Sequence, residues 1–266
     1  MPRNNFTEKL AKEGFNFQKY CAKAIGKIGW KVTEEYPFSH HKIPGSGCLD
    51  ILAQFKDEKH NHVIYSMVEC KKMDPSYERL VMYKSTRTRS DDVISPQYCI
   101  TKPDPSNLTF PLLRETEICD ICKELVRDPK SNKIKMRSKK IKIIGNHLNH
   151  ALISIMSEVN SATQQLQKSG HSIPSLQVFV PVFVTGANLL IFDVSDKLGN
   201  DSKLDIEAKG TPANWCIYEF PIRKYHILPA IPDFINPFKK LNIFIVNVRS
   251  VTSFFEKLRS IHLIPK

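Results

Sequence analysis

Three side chains in the first third of the sequence have the types and spacing to do chemistry together. Asp50, Glu69 and Lys71 interrupt two otherwise apolar segments, where an unpaired charge is costly. Two carboxylates can bind a hard divalent cation such as Mg²⁺, which prefers oxygen ligands and keeps several waters. Such an ion polarises a phosphodiester and lowers the pKa of a bound water, and Lys71 could orient that water and stabilise developing charge. The backbone carbonyl of Cys70 is a further candidate ligand.

The elements around these residues must bring them together. Apolar spacing predicts a helix over residues 15–29 and a strand over residues 30–38. Two more strands are predicted over residues 48–55 and 63–70, and the polar turn between them favours an antiparallel hairpin. The first 71 residues therefore predict the order helix, strand, strand, strand.

Strand alternation decides which of these side chains can meet. Glu69 and Lys71 are two residues apart, so they face the same side, and Asp50 can join them from the neighbouring strand. The apolar Leu49 and Ile51 that flank Asp50 are expected on the opposite face. This arrangement predicts a site on one face of the sheet.

Two more residues are candidates for supporting roles. Glu34 and Glu35 lie on the preceding strand, and alternation allows only one to face the site. We expect it to be Glu35, as an additional ligand. Lys72 points away from Lys71 and is expected to contact a nucleic-acid backbone or to lie on the surface.

The last third of the chain predicts more sheet. An amphipathic helix over residues 146–168 precedes a strand, a tight turn at Gly186 and Asn188, and another strand. Ser253 and Glu256 form a capping box for a final helix ending near residue 262. The four strands predicted here cover residues 177–184, 189–194, 215–220 and 242–248. We expect a single α/β domain over residues 1–266, built on a central mixed sheet.

The charge of the chain points to a polyanionic partner. It has 39 Lys and Arg against 27 Asp and Glu, a formal net charge of +12, which favours nucleic acid as a partner. Residues 127–142 contain eight Lys or Arg and one Asp, within a basic, irregular insertion expected near residues 100–145. This run is either a solvated loop or an arm whose Lys139, Lys140 and Lys142 contact DNA phosphates.

Several classes of protein are excluded or disfavoured by the sequence. No apolar run is long enough for a membrane helix and the first residues are not a signal peptide, so we expect a cytoplasmic protein without membrane contact. No glycine-rich phosphate loop is present, which excludes an ATPase motor. Cys119 and Cys122 form one CxxC, half of a structural zinc site; a zinc-stabilised interaction protein is therefore an alternative.

Together these motifs resemble a known family. Phe17-Gln18, Gly29-Trp30-Lys31-Val32, Gly47 to Ala53 and Val68 to Lys72 resemble the PD-(D/E)xK nuclease superfamily, most closely its Mrr-like restriction endonuclease branch. The resemblance covers residues 15–72 well. Residues 178–184 resemble the core strand that follows the second helix of that family.

The resemblance implies a fold, an activity and a cofactor. The fold would be a restriction-endonuclease-like αβββαβ core with a central mixed sheet. The activity would be Mg²⁺-dependent hydrolysis of DNA phosphodiesters, with Mn²⁺ as a substitute, serving restriction or phage defence. A homodimer is compatible with it. Asp50 and Glu69 resemble the metal-binding acids, and Lys71 resembles the catalytic lysine.

This chain departs from the family pattern at two positions. Gln18 stands where the first helix often carries a Glu, so it can help to hold the site but gives no charge to a metal. Leu49 stands where the family name has Pro. The alternative on the same fold is a catalytically inactive nucleic-acid-binding module.

Overall fold

A computed structural model describes most of the chain. The described residues are 15–40, 43–73, 78–85, 108–109, 112, 115–127, 131, 134–193, 210–221, 240–260 and 262–263. Three α-helices are defined within them: α1 (Phe15–Lys27), α2 (Lys139–Lys168) and α3 (Val251–Leu258).

The strands are numbered in chain order. The first seven are β1 (Lys31–His40), β2 (Ile43–Asp57), β3 (His62–Lys71), β4 (Glu78–Lys84), β5 (Leu108–Thr109), β6 (Ile118–Arg127) and β7 (Ile134–Arg137). The remaining six are β8 (Leu176–Thr185), β9 (Asn188–Phe192), β10 (Thr211–Ala213), β11 (Trp215–Pro221), β12 (Lys240–Asn247) and β13 (His262–Leu263).

Eleven of these strands form one mixed sheet. Its order is β1-β2-β3-β8-β12-β11-β6-β4-β9-β10, and β7 pairs with β6 off this path. β1, β2 and β3 are antiparallel neighbours, whereas β8 runs parallel to both β3 and β12. The predicted α/β class with a central mixed sheet is therefore confirmed, and so is the hairpin of β2 and β3.

Helices cover both faces of this sheet. The apolar stripe of α2, which includes Leu148, Leu152 and Ile155, packs into a core cluster on one face. α1 and α3 pack into a second cluster on the other face, through residues such as Ile25 and Phe254. The sheet is thus buried on both sides, as expected for a sheet with parallel pairs.

The basic segment is more regular than its charge suggests. We expected residues 100–145 to be irregular. This is wrong where the structure describes them, because β6, β7 and the start of α2 lie there. α2 begins at Lys139, seven residues before the predicted start. Ile141 and Ile144 are buried at helical spacing with Leu148, so the lysines occupy only the outer side of the helix.

The turn after β8 connects two strands that do not pair with each other. β8 lies between β3 and β12, whereas β9 lies between β4 and β10. The backbone packs tightly at this turn, since a Cβ on Gly186 would lie 2.5 Å from the carbonyl oxygen of Met73. In the described part of the chain, no helix combines the length and hydropathy that crossing a membrane requires.

Candidate functional site

The site begins where the β2–β3 ladder ends. The last backbone pair joins Ile51 to Val68. Beyond it, the backbone N–H of Cys70 donates to Oδ2 of Asp50 over 2.7 Å, so a carboxylate takes the place of the next backbone acceptor. In an extended residue the carbonyl points to the same side as the N–H, which directs the carbonyl of Cys70 toward Asp50. Asp50 and this carbonyl therefore share the open end of the hairpin.

A backbone distortion on β1 lies beside Asp50. Glu35 has a φ of +50°, which is uncommon for a residue with a side chain. Alternation inverts at this point: Val32 packs under α1 and α3, whereas Tyr36, four residues later, packs under α2. On β2, Leu49 and Ile51 likewise belong to different clusters, so the expectation that both lie opposite Asp50 is wrong for Leu49.

Glu35 itself is close enough to act on the site electrostatically. Its side chain is exposed, and its charge is one of the influences that raise the pKa of Asp50. Glu35 is therefore near enough to Asp50 to influence its charge, and its role as an additional ligand stays a prediction.

Glu69 is the most perturbed acid of the site. Its side chain is only 13% exposed. Burial, followed by repulsion from Asp50, raises its pKa from 4.5 to about 8. Among the described residues, its Oε1 has no hydrogen-bond partner. The backbone N–H of Asp50 donates to this carboxylate and Lys71 also favours its ionised form, but burial outweighs both, so the protonated form of Glu69 predominates near neutral pH in the absence of a cation.

Asp50 and Lys71 complete the charged group. Burial raises the pKa of Asp50, although the hydrogen bond from Cys70 and the charge of Lys71 work in the opposite direction. Lys71 also lowers the pKa of Glu69, and its own side chain is exposed at the end of β3. The structure thus brings together the two acids and the lysine that the sequence singled out.

Gln18 connects α1 to this group. Its side chain is 7% exposed, and Nε2 donates to the backbone carbonyl of Asp50 over 2.7 Å. A buried side-chain amide bonded to the main chain fixes the position of β2 relative to α1. Gln18 therefore holds Asp50 in place, in agreement with its expected supporting role.

His147 is a site residue that was not assigned to this site from the sequence. Its Nε2 lies 3.2 Å from Oε1 of Glu69 and 3.2 Å from the carbonyl of Cys48. The hydrogen bond is the one to Cys48, because a carbonyl only accepts and the contact to Glu69 does not have hydrogen-bond geometry. Burial is the main cause that lowers the pKa of His147, so the ring is neutral near pH 7.

A glycine and an aromatic ring support His147. The ring of Phe38 packs edge-on against His147, with centroids 5.0 Å apart. The same ring leaves no room for a side chain at position 47, since a Cβ on Gly47 would lie 2.4 Å from its Cζ. His147 follows Ile144 by three residues and precedes Ala151 by four, and this spacing was the only sequence signal for it.

The lysines expected to contact DNA lie in different settings. Lys139 and Lys142 are exposed on the first turn of α2, and Lys72 is exposed just after β3. Lys140 instead forms an ion pair with Glu78 over 3.0 Å. Lys139 precedes His147 on α2 by eight residues, about 12 Å along the helix axis.

The CxxC is part of the core. Cys119 and Cys122 are 0% and 4% exposed on β6, and the thiols of Cys119 and Cys216 are hydrogen-bonded. Burial raises the pKa of Cys122 well above its usual value. Within the described ranges, neither cysteine belongs to a group of three or more metal-ligating side chains. Both thiols of the motif are therefore packed in the core of the sheet.

The carboxylate site can hold a divalent cation. Asp50, Glu69 and the carbonyl of Cys70 offer hard oxygen donors, the kind that Mg²⁺ and Mn²⁺ prefer. A cation would also give the buried Oε1 of Glu69 the partner it lacks among the described residues.

Comparison of the chain with models of protein families, with curated proteins and with solved structures finds no match.

Proposed function

We propose that this protein is a Mg²⁺-dependent endodeoxyribonuclease that hydrolyses phosphodiester bonds of DNA. Asp50, Glu69 and the backbone carbonyl of Cys70 would hold the ion, with Mn²⁺ as a substitute. The observation that carries the proposal is the pair of partly buried carboxylates beside Lys71, in which the pKa of Glu69 is raised to about 8. A site that raises the free energy of its own ionised form is suited to a ligand that supplies positive charge.

The residues of the site divide the work of hydrolysis. Mg²⁺ held by Asp50, Glu69 and the carbonyl of Cys70 would polarise the phosphodiester and favour ionisation of the attacking water. The ammonium group of Lys71 stabilises the charge that develops on the phosphorus oxygens and orients the nucleophile. Gln18 fixes the main chain at Asp50. Neutral His147, which donates to Cys48, closes one side of the site without adding charge.

The order of elements supports the proposal. α1, three antiparallel strands, α2 and then β8 parallel to β3 follow the αβββαβ order of a restriction-endonuclease-like core. β4 to β7 would be an insertion between the third strand and the second helix. A nuclease of this type would serve restriction or phage defence, and could act as a homodimer that cuts both strands.

The surface charge supports DNA as the substrate. The net charge is +12, and the exposed Lys72, Lys139 and Lys142 lie on elements that border the carboxylate pair. Contacts between such lysines and phosphates add affinity for any DNA sequence.

One variant separates chemistry from binding. We expect Lys71→Ala to bind DNA about as tightly as the parent, while its single-turnover cleavage rate in Mg²⁺ falls roughly 100-fold or more, because Lys71 acts on transition-state charge. Lys71→Arg should not restore the rate, since a planar guanidinium does not replace a compact ammonium.

The matched control is Lys56→Ala, which removes an exposed lysine near the far end of the same hairpin. Near-parental cleavage by Lys71→Ala would refute the catalytic assignment. A parent protein that binds DNA but does not cleave it in Mg²⁺ or Mn²⁺ would instead identify an inactive binding module.

A further inference from the structure

The turn that joins β2 to β3 gathers a second group of possible metal ligands. Asp57 ends β2, His60 lies in the turn and His62 begins β3. One ligand atom from each residue lies within 4.8 Å of the other two. Seven residues of extended strand, about 23 Å, separate His62 from Glu69, so this group is distinct from the carboxylate site.

The spacing of the three side chains suits a small metal ion. Oδ2 of Asp57 lies 2.7 Å from Nδ1 of His60 and 3.8 Å from Nε2 of His62. The two imidazole rings are stacked, with centroids 5.9 Å apart. Ligands of a tetrahedral zinc ion, with bonds of about 2.0–2.1 Å, lie about 3.3 Å from one another. The two distances from Asp57 bracket this value, and a bound ion would replace the hydrogen bond between Asp57 and Nδ1 of His60.

Hydrogen bonds hold the turn in this arrangement. The backbone N–H of His60 donates to Oδ1 of Asp57 over 3.1 Å, which leaves Oδ2 facing the two rings. The hydroxyl of Ser175 donates to the carbonyls of His60 and Asn61, and the side chain of Asn61 donates to the carbonyl of Ile173. The turn is therefore fixed to the segment before β8, and little conformational entropy remains to be lost on binding.

The burial of the three side chains also suits a metal site. The side chain of His62 is 1% exposed, that of Asp57 21% and that of His60 38%, so one side of the group is open to solvent. The open side leaves room for a water ligand, whereas the buried His62 holds the inner side of the group.

We propose that Asp57, His60 and His62 bind a divalent transition-metal ion, with zinc as the preferred ion. Two imidazole nitrogens and one carboxylate oxygen suit Zn²⁺, Co²⁺ or Ni²⁺ and disfavour Mg²⁺, which selects oxygen ligands. Water takes the fourth position on the open side. Because the ion joins both strands of the hairpin at its closed end, it stabilises the element that carries Asp50 and Glu69 at its other end.

Zinc titration of the metal-free protein tests this site. At pH 7.5 we expect the parent to bind one Zn²⁺ in calorimetry and to unfold at a higher temperature with zinc than without it. His60→Ala removes one of three ligands from a partly exposed turn and should weaken zinc binding roughly 100-fold or more, given that loss of an outer-shell partner alone costs 10–100-fold. Asp57→Asn should weaken it as well.

Two controls keep the result specific. His171→Ala removes an exposed histidine outside the group and should leave zinc binding unchanged. Glu69→Gln should also leave it unchanged, which separates this site from the proposed nuclease site. The inference is overturned if the parent binds no zinc, if His60→Ala binds as many ions with the same affinity, or if His171→Ala loses binding equally.

Discussion

Glu69 illustrates, at the residue scale, how one carboxyl group can report on a metal site. Its pKa is raised from 4.5 to about 8 by burial and by Asp50. The folded state therefore holds a proton that the unfolded state releases, and this contribution to stability is present below pH 4.5 and lost as pH rises toward 8. Above that pH the metal-free protein carries two partly buried, mutually repelling carboxylates.

We predict that Glu69→Gln makes metal-free stability less dependent on pH. The parent should lose about 2–5 kcal/mol of unfolding free energy between pH 5 and pH 8.5 that the variant does not lose, as expected from a shift of this size. Denaturant unfolding at several pH values in EDTA measures the difference. Parallel pH profiles for the two proteins would contradict the assigned environment of Glu69.

At the element scale, the hairpin was predictable and its surroundings were not. Alternation within residues 48–55 and 63–70 is a local signal, and it correctly paired β2 with β3. The distortion at Glu35 inverts the alternation of β1 and leaves no mark in the sequence. His147 reaches Glu69 only because α2 crosses this face of the sheet, which is a tertiary property.

The starting residues of α3 and α2 were also not predictable from the sequence. The capping box at Ser253 and Glu256 was wrong, because α3 begins at Val251 with Ser250 as its N-cap. Burial of Val251 and Phe254 against the sheet sets this start, and Ser253 instead donates to the carbonyl of Ser250. In α2, likewise, buried isoleucines outweigh a basic run that suggested a loop.

A pair of glycine substitutions tests the packing beside the site. We predict that Gly47→Ala destabilises the protein by about 1–3 kcal/mol, because its Cβ would lie 2.4 Å from Phe38 and force the ring away from His147. The matched change Gly26→Ala lies in α1, where the nearest atom would be 3.9 Å away, and should stabilise by about 0.5–1 kcal/mol. Thermal and denaturant unfolding of both variants measure the two changes in stability. Equal changes would contradict the tight packing of Phe38 against Gly47.

The start of α2 carries a prediction about DNA. Removing two exposed charges with Lys139→Gln and Lys142→Gln should weaken binding to all sequences and reduce the slope of log K against log salt by up to about 2. Lys23→Gln with Lys27→Gln removes two exposed charges from α1, on the other face of the sheet, and should change the slope less. Equal slopes for both double variants would show that α2 is not a preferred DNA contact.

At the scale of the whole molecule, fold and charge serve a single site. The mixed sheet brings Asp50, Glu69 and Lys71 together at the open end of one hairpin, and helices on both faces bury the acids enough to shift their pKa values. The net charge of +12 favours association with a polyanion before any specific contact forms. Composition alone predicts a polyanionic partner, whereas the proposed chemistry depends on three positions.

The most direct test of the nuclease proposal is cleavage of supercoiled plasmid by the purified protein with Mg²⁺ and with EDTA. We predict nicked and linear products with Mg²⁺ only, and their loss in Asp50→Asn and Glu69→Gln, because each change removes a negative ligand from a hard-cation site. Glu58→Gln, which alters a carboxylate 83% exposed at the hairpin turn, should cleave like the parent. Cleavage that persists in EDTA, or parental activity in both site variants, would contradict the account.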